Sequence, residues 1–281
     1  MSEQLVTIDG IELCTDSFGD RANPAILLIM GAQSSMIWWD EEFCRRLADE
    51  GRLVIRYDNR DVGRSTTCEP GQPNYTFEDM VDDAVRVLDA YQIRQAHIVG
   101  MSMGGMLTQM IALRYPERVL TVTLLSTSNF APHLPPMEDK VMEFFSNMGT
   151  VDWANEQSVV GFAVGRSRVL AGSKRLFDDN KVSIAAKREF TRSINPASMV
   201  NHALLSGGES YLARTGEIDV PALIIHGTED PIIPYVHGKN LADEIPVSEL
   251  LALEGAGQEL HSDDWDMVIH SIVKHTSSTR R

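Results

Sequence analysis

Short apolar runs that alternate with longer amphipathic segments constrain the fold of this chain most strongly. Six such runs have the character of buried strands, and they cover residues 25–30, 53–57, 96–99, 122–125, 222–226 and 250–253. Segments 39–50, 77–91 and 104–115 place apolar residues three and four positions apart, which is typical of helices that cover a sheet. The alternation predicts an α/β fold with a mostly parallel sheet and helices on both faces.

A hairpin is expected before these runs. Segments 5–8 and 11–14 alternate apolar and polar residues and flank Asp9-Gly10, a dipeptide that favours a tight turn between antiparallel strands. The predicted sheet therefore has eight strands and begins antiparallel.

The alternation of predicted strands and helices ends after Thr127. Roughly 90 residues pass before the next convincing strand, far more than a crossover connection needs. We expect residues 129–218 to form an inserted helical cap, with helices near 137–148, 183–194 and 197–205, and residues 1–128 and 219–281 to form the core.

Composition narrows the class of ligand. The chain has 281 residues, of which 43% are hydrophobic, and a formal net charge of −15 that would repel nucleic acid, so a small molecule is the expected partner.

No apolar stretch is long enough to cross a bilayer, and residues 1–10 lack the features of a leader, so we expect a cytoplasmic protein without membrane association. The three cysteines, Cys14, Cys44 and Cys68, lack the close spacing of metal or redox motifs, so they are interpreted as structural or incidental thiols. The oligomeric state is open.

The segment around Ser102 carries the clearest chemical signal. A predicted strand leads into Gly100-Met101-Ser102-Met103-Gly104, and a predicted helix follows. A strand, a Gly-x-Ser-x-Gly turn and a helix make the turn that exposes a nucleophilic serine above a sheet, and the two glycines are needed where a side chain would clash. The context predicts Ser102 as the nucleophile.

An acyl transfer at Ser102 also needs two N–H donors for the oxyanion. One is expected from Met103, and the other from Ala32 in the loop Met30-Gly31-Ala32-Gln33 that follows the third strand. Gly31 would let this loop approach the scissile carbonyl.

An acidic residue is expected at the end of a late strand, where open α/β sheets build their sites. Residues 222–226 lead into Gly227-Thr228-Glu229-Asp230-Pro231. Asp230 is favoured over Glu229 because Pro231 fixes the turn directly behind it.

The base should follow the last strand, where the chain reads Gly255-Ala256-Gly257-Gln258-Glu259-Leu260-His261. His261 is the histidine of this loop, although it could instead cap the helix that starts beside Ser262 and Asp263. The other histidines lack the chain position of a base: His270 and His275 are expected in the last helix, His97 and His226 in strands, and His133, His202 and His237 on cap or helix surfaces.

The order serine, acid, histidine region resembles the α/β-hydrolase superfamily over the whole chain. Several motifs are similar to those of the aclacinomycin methylesterase branch, which cleaves methyl esters on aromatic polyketides. They are Arg56-Tyr57-Asp58-Asn59-Arg60-Asp61-Val62-Gly63-Arg64-Ser65-Thr66-Thr67, Phe18-Gly19-Asp20, Met30-Gly31, His237-Gly238-Lys239 and Leu241. The resemblance implies Ser102 as nucleophile, Asp230 as acid, and the amides of Ala32 and Met103 as oxyanion hole.

One position departs from the family pattern. Where the family has Gly-x-Gly-His, this chain has Gln258, and glutamine cannot accept a proton near neutral pH. Either His261 replaces the base or the triad is broken.

The predicted function is a serine esterase that cleaves a small, largely apolar carboxylic ester, with no metal or organic cofactor required. The alternative is a non-catalytic or weakly active ligand-binding homologue. Epoxide hydrolases and haloalkane dehalogenases need a carboxylate at the nucleophile position, so Ser102 argues against both. Lactonase, perhydrolase and carbon–carbon hydrolase activities stay open.

Overall fold

The computed structural model describes residues 3–277, which form an eight-stranded sheet. The strands are β1 (Gln4–Ile8), β2 (Ile11–Phe18), β3 (Ala25–Ile29), β4 (Leu53–Tyr57), β5 (Ala96–Met101), β6 (Val119–Leu125), β7 (Ala222–Gly227) and β8 (Ser248–Leu253). They follow the order β1-β2-β4-β3-β5-β6-β7-β8, and only the pairs β1–β2 and β2–β4 among them are antiparallel. The predicted mostly parallel sheet is therefore confirmed.

The predicted hairpin joins β1 and β2. Asp9 and Gly10 have φ angles of 54° and 80°, the left-handed values that a two-residue hairpin turn of this kind requires. β2 continues past the predicted end at residue 14 because residues 15–18 pair with β4.

Helices cover both faces of the sheet, as predicted. The α-helices are α1 (Glu41–Asp49), α2 (Phe77–Ala90), α3 (Met103–Arg114), α4 (Asp139–Ser146), α5 (Glu156–Leu170), α6 (Asp179–Arg192), α7 (Glu209–Leu212), α8 (Val236–Glu244) and α9 (Trp265–Ser277). α1 and α9 pack their apolar side chains on one face of the sheet, whereas α2, α3 and α8 pack on the other. No helix within residues 3–277 has the length and apolar character needed to cross a membrane.

The long connection between β6 and β7 contains α4 to α7. Two predicted helices, 137–148 and 183–194, correspond to α4 and α6, whereas the segment predicted as a helix at 197–205 is a 3-10 helix and α5 was not predicted. The division into a core and a cap at residues 129–218 stays a prediction, and residues 1–2 and 278–281 of that core lie outside the described part of the chain. The 3-10 helices are Met36–Trp38, Pro116–Arg118, Met148–Thr150, Pro196–Leu204, Thr215–Glu217 and Ser262–Asp264.

Candidate active site

Ser102 occupies a strained turn between β5 and α3. Its backbone has φ 55° and ψ −120°, a conformation that a non-glycine residue rarely adopts. A Cβ atom on Gly100 would lie 2.1 Å from the carbonyl oxygen of Gly104, and one on Gly104 would lie 2.1 Å from that of Ile29. Both glycines are therefore sterically required. The Ser102 N–H donates to the Leu125 carbonyl at 2.9 Å, which fixes the turn to the end of β6.

The loop after β3 passes directly beside this serine. A Cβ atom on Gly31 would lie 3.1 Å from the Ser102 Cβ. The backbone N–H groups of Ala32 and Met103 donate to no other group in the described part of the chain. Two unpaired amide donors thus belong to the two residues that were predicted to supply the oxyanion hole.

Side chains from the β6–β7 connection hold this loop in place. The Gln33 N–H, at a residue with φ 59°, donates to His202 Nδ1 at 2.9 Å, and Arg166 Nη1 donates to the Gln33 carbonyl at 3.0 Å. Glu189 accepts from both the N–H and the hydroxyl of Ser35, at 3.3 and 2.7 Å. These contacts fix the carboxyl-terminal end of the loop.

The expected surface location of His202 and His237 is wrong. His202 is buried, and its Nε2 donates to the Arg60 carbonyl at 2.7 Å. Burial lowers the pKa of His202, which keeps its Nδ1 free to accept. His237 is buried between Ser128 Oγ and the Pro135 carbonyl, at 2.7 and 2.9 Å. Both side chains turn inward because polar backbone groups there need partners.

The family motif at 56–67 supports the same loop from the sheet side. Asp58 Oδ1 accepts from the Met36 N–H at 2.9 Å, and the Asn59 amide donates to the Met30 carbonyl at 3.3 Å. Arg192 pairs with Asp58 at 2.8 Å. The motif therefore contributes to the shape of the loop beside Ser102.

Asp230 is the inward-facing carboxylate after β7. Its Oδ1 accepts from the N–H groups of Ile232 and Ile233, at 3.0 and 2.8 Å. Its Oδ2 is buried without a hydrogen-bond partner, and the nearby His226 Nε2, at 3.6 Å, donates to the Ile233 carbonyl instead. Burial raises the pKa of Asp230 to about 8. The rival Glu229 is exposed and accepts from Ser173.

We expect Asp230→Asn to stabilise the protein at high pH. With a folded-state pKa of about 8, the folded chain keeps a proton that the unfolded chain releases above about 4, so the wild-type free energy of unfolding falls as pH rises through this window. Asparagine cannot ionise and retains an oxygen for the two amide donors. The melting temperature of Asp230→Asn should exceed that of the wild type by at least about 2 °C at pH 8.5, and the difference should shrink towards pH 4.5.

Circular dichroism melts at pH 4.5, 6.5 and 8.5 check this result. Glu229→Gln is the matched control, because hydrogen bonds from Ser173 lower the pKa of that exposed neighbour and its loss should bring no gain at high pH. A difference between Asp230→Asn and wild type that does not change with pH would contradict the buried-carboxyl account.

Gln258 lies at the position where the family pattern has its histidine. Its Nε2 donates to the Ser126 carbonyl at 3.2 Å, and its backbone N–H donates to the Leu170 carbonyl at 2.9 Å. Its Oε1 is buried and has no hydrogen-bond partner. The side chain is thus held in the site but offers no group that can take a proton near neutral pH.

His261 caps the short 3-10 helix Ser262–Asp264. Its Nδ1 accepts from the Asp263 N–H at 3.2 Å, so the proton of the neutral ring resides on Nε2. Among residues 3–277, no hydrogen bond joins His261 to Ser102 or to Asp230. The structure brings Ser102 and His261 to one cavity without a direct contact.

That cavity has a volume of about 530 Å³ and an apolar wall. The chemically important lining residues are Ser102, Gln258, His261 and Arg166. Residues 3–277 contain no group of three or more His, Cys, Asp or Glu side chains placed to hold a metal. The larger apolar side chains of the wall are Met30, Ile37, Trp38, Met101, Met137, Phe145, Met148, Leu170, Phe177, Val182, Ile232, Leu260 and Trp265.

Comparisons with known proteins bear on the fold and the family of this chain. A family profile described as alpha/beta hydrolase fold matches residues 24–264. Rhodomycin D methylesterase DauP of Streptomyces sp. (strain C5) is 31% identical, and DnrP of Streptomyces peucetius is 29% identical, each alignment covering 98% of both chains. The esterase RhEst1 from Rhodococcus sp. ECU1013 superposes with a TM-score of 0.80 at 20% identity, with 100% of each chain covered.

Proposed function

Because the chain belongs to the α/β-hydrolase family, we propose that it is a serine hydrolase that cleaves a small, largely apolar carboxylic ester. A methyl ester is the leading class, since the methylesterases DauP and DnrP align with it over nearly their whole length. One observation carries the proposal: the strained turn at Ser102 places this serine in the lining of the cavity.

Ser102 Oγ attacks the ester carbonyl carbon while a base takes its proton. The N–H groups of Ala32 and Met103 donate to the oxyanion of the tetrahedral intermediate. Collapse breaks the bond to the alcohol oxygen, which leaves with the proton that the base had taken. Water then attacks the acyl-enzyme by the same route and releases the acid and free Ser102.

His261 is the base in this proposal, because it is the histidine that lines the cavity within the described residues. Its Nδ1 is engaged by the Asp263 N–H and its Nε2 carries the proton, so the ring must release the capping hydrogen bond before it can accept from Ser102. Asp230 does not hydrogen-bond to it. We therefore expect turnover to be slow in comparison with an intact triad, by about two orders of magnitude or more.

A ligand-binding protein without turnover is the second candidate. Gln258 and the unpartnered Oδ2 of Asp230 favour it, because the acid has no histidine to orient. In that case the cavity would bind an ester or its acid, and Ser102 would have no catalytic role.

Hydrolysis of short p-nitrophenyl esters and of aromatic methyl esters separates the two candidates. The esterase proposal predicts release of p-nitrophenol above the buffer rate, and loss of this rate after treatment with an organophosphonate. Saturable binding of the esters together with a rate equal to that of buffer would favour the binding protein and overturn the esterase proposal.

A further inference from the structure

Arg166 is a buried cation at the wall of the cavity that contains Ser102. It lies on α5, and its residue is only 9% exposed. The guanidinium donates from Nη1 to the Gln33 carbonyl at 3.0 Å and lies over the Trp38 ring at 5.6 Å. These two contacts leave most of its five N–H donors for a ligand in the cavity.

Other buried arginines of the described chain have an ion pair or several hydrogen bonds to oxygen acceptors. Arg56 and Arg60 each form an ion pair with a buried aspartate, at 2.8 and 2.6 Å. Arg52 donates to five oxygen acceptors around the end of α9. Arg166 has neither arrangement, since the nearby Glu189 gives both carboxylate oxygens to Ser35. Glu189 therefore acts on Arg166 through its charge but not through a direct hydrogen bond. A buried charge without a hydrogen-bonded counter-ion is costly, so a compensating anion is expected from outside the chain.

We propose that Arg166 binds a carboxylate of the substrate, so that the ester cleaved here also carries a free acid group. A guanidinium matches a carboxylate with two parallel N–H bonds, and the low dielectric of a largely apolar cavity strengthens that pairing. The inference rests on the proposed function in taking this cavity as the substrate site. The residue that Arg166 holds, Gln33, directly follows Ala32, which places the acid group near the reacting ester.

The acidic side chains around the cavity do not occupy Arg166. Asp40 and Asp178 each accept a backbone N–H at the start of a helix, from Glu42 and Lys181. Glu259 accepts from the Gly172 N–H at 3.0 Å. Lys181 also lines the cavity, but it is exposed and its Nζ lies over the Trp265 ring at 5.1 Å. Arg166 is therefore the buried cation of this cavity that an acid group would meet.

Equilibrium binding tests the proposal without turnover. Monomethyl terephthalate, which carries one ester and one carboxylate, and its neutral isostere methyl 4-carbamoylbenzoate are titrated into the Ser102→Ala chain by isothermal calorimetry. We expect the carboxylate to bind about tenfold to a hundredfold more tightly than the amide. Arg166→Gln, added to Ser102→Ala, should remove that preference, and Arg166→Lys should retain part of it.

Arg168→Gln is the matched control, because Arg168 lies two residues further along α5, is exposed and pairs with Asp179. It should bind the carboxylate as tightly as the parent does. Equal affinity for carboxylate and amide, no binding of the carboxylate, or an unchanged preference in Arg166→Gln would overturn the proposal. Thermal melting of each variant shows whether it is folded, and Arg166→Lys decides the question if Arg166→Gln does not fold.

Failure of this inference is distinguishable from failure of the proposed function. Reaction of Ser102 with an organophosphonate is followed separately on the chain with serine present. Labelling without a carboxylate preference would contradict only the role of Arg166, whereas a carboxylate preference without labelling would contradict only the esterase.

Discussion

Gln258→His should raise kcat/KM for a short p-nitrophenyl ester by about 10²- to 10⁴-fold, which is the range that a positioned general base contributes. Position 258 is where the family pattern has its histidine, and its side chain lines the cavity with Ser102. The buried Oδ2 of Asp230 has no hydrogen-bond partner and would accept the N–H of an imidazole. Initial rates between pH 5 and 9 check the effect, and a rise with an apparent pKa in the histidine range is expected.

Two further variants identify which residue acts as base. Gln258→Asn keeps an amide that cannot ionise, so it should leave the rate within a fewfold of wild type. His261→Ala should lower the wild-type rate and have little effect once histidine is present at 258. A large loss from His261→Ala in both backgrounds, with no gain from Gln258→His, would show that His261 alone is the base.

Ser102→Ala should abolish ester hydrolysis in both backgrounds, and the loss should be largest in Gln258→His, where at least about a hundredfold is expected. Without the Ser102 hydroxyl no nucleophile attacks the ester carbonyl, although the oxyanion donors are still present. Progress curves with a p-nitrophenyl ester measure the rate, and Ser146→Ala, at an exposed serine of α4, is the control that should retain activity. Activity that persists without Ser102 would exclude it as nucleophile.

The sheet could be predicted from the sequence because its signals are local. The buried run of four hydrophobic residues and Arg56 gives β4 the predicted bounds at Leu53–Tyr57, and Asp9-Gly10 alone specifies the hairpin. β2 was predicted too short, since the part that pairs with β4 depends on a neighbour distant in sequence.

The helical connection was less accessible to sequence analysis. α5 contains Gly161 and Gly165, which lower helix propensity, yet the structure shows why a glycine fits: a Cβ at Gly165 would lie 2.8 Å from the Phe144 ring. Tertiary packing outweighs propensity there. The same limit applies to Arg166 and His202, whose importance comes from contacts with the loop beside Ser102.

Some of the candidate site residues could be predicted from local sequence signals, and others could not. The turn at Ser102 and the choice of Asp230 over Glu229 follow from strand ends and a proline, and the structure places Asp230 inward and Glu229 outward. The assignment of His261 stays a prediction, because the loop after β8 contains both a glutamine at the family position and a histidine that caps a helix.

Mass spectrometry of the acyl-enzyme tests the central claim most directly. The chain is mixed with p-nitrophenyl butyrate, quenched in acid within seconds, digested and mapped by peptide. The account predicts one butyryl group on the peptide that contains Ser102, and none in Ser102→Ala. An acyl group on a different residue, or an unmodified chain while p-nitrophenol is released, would contradict it.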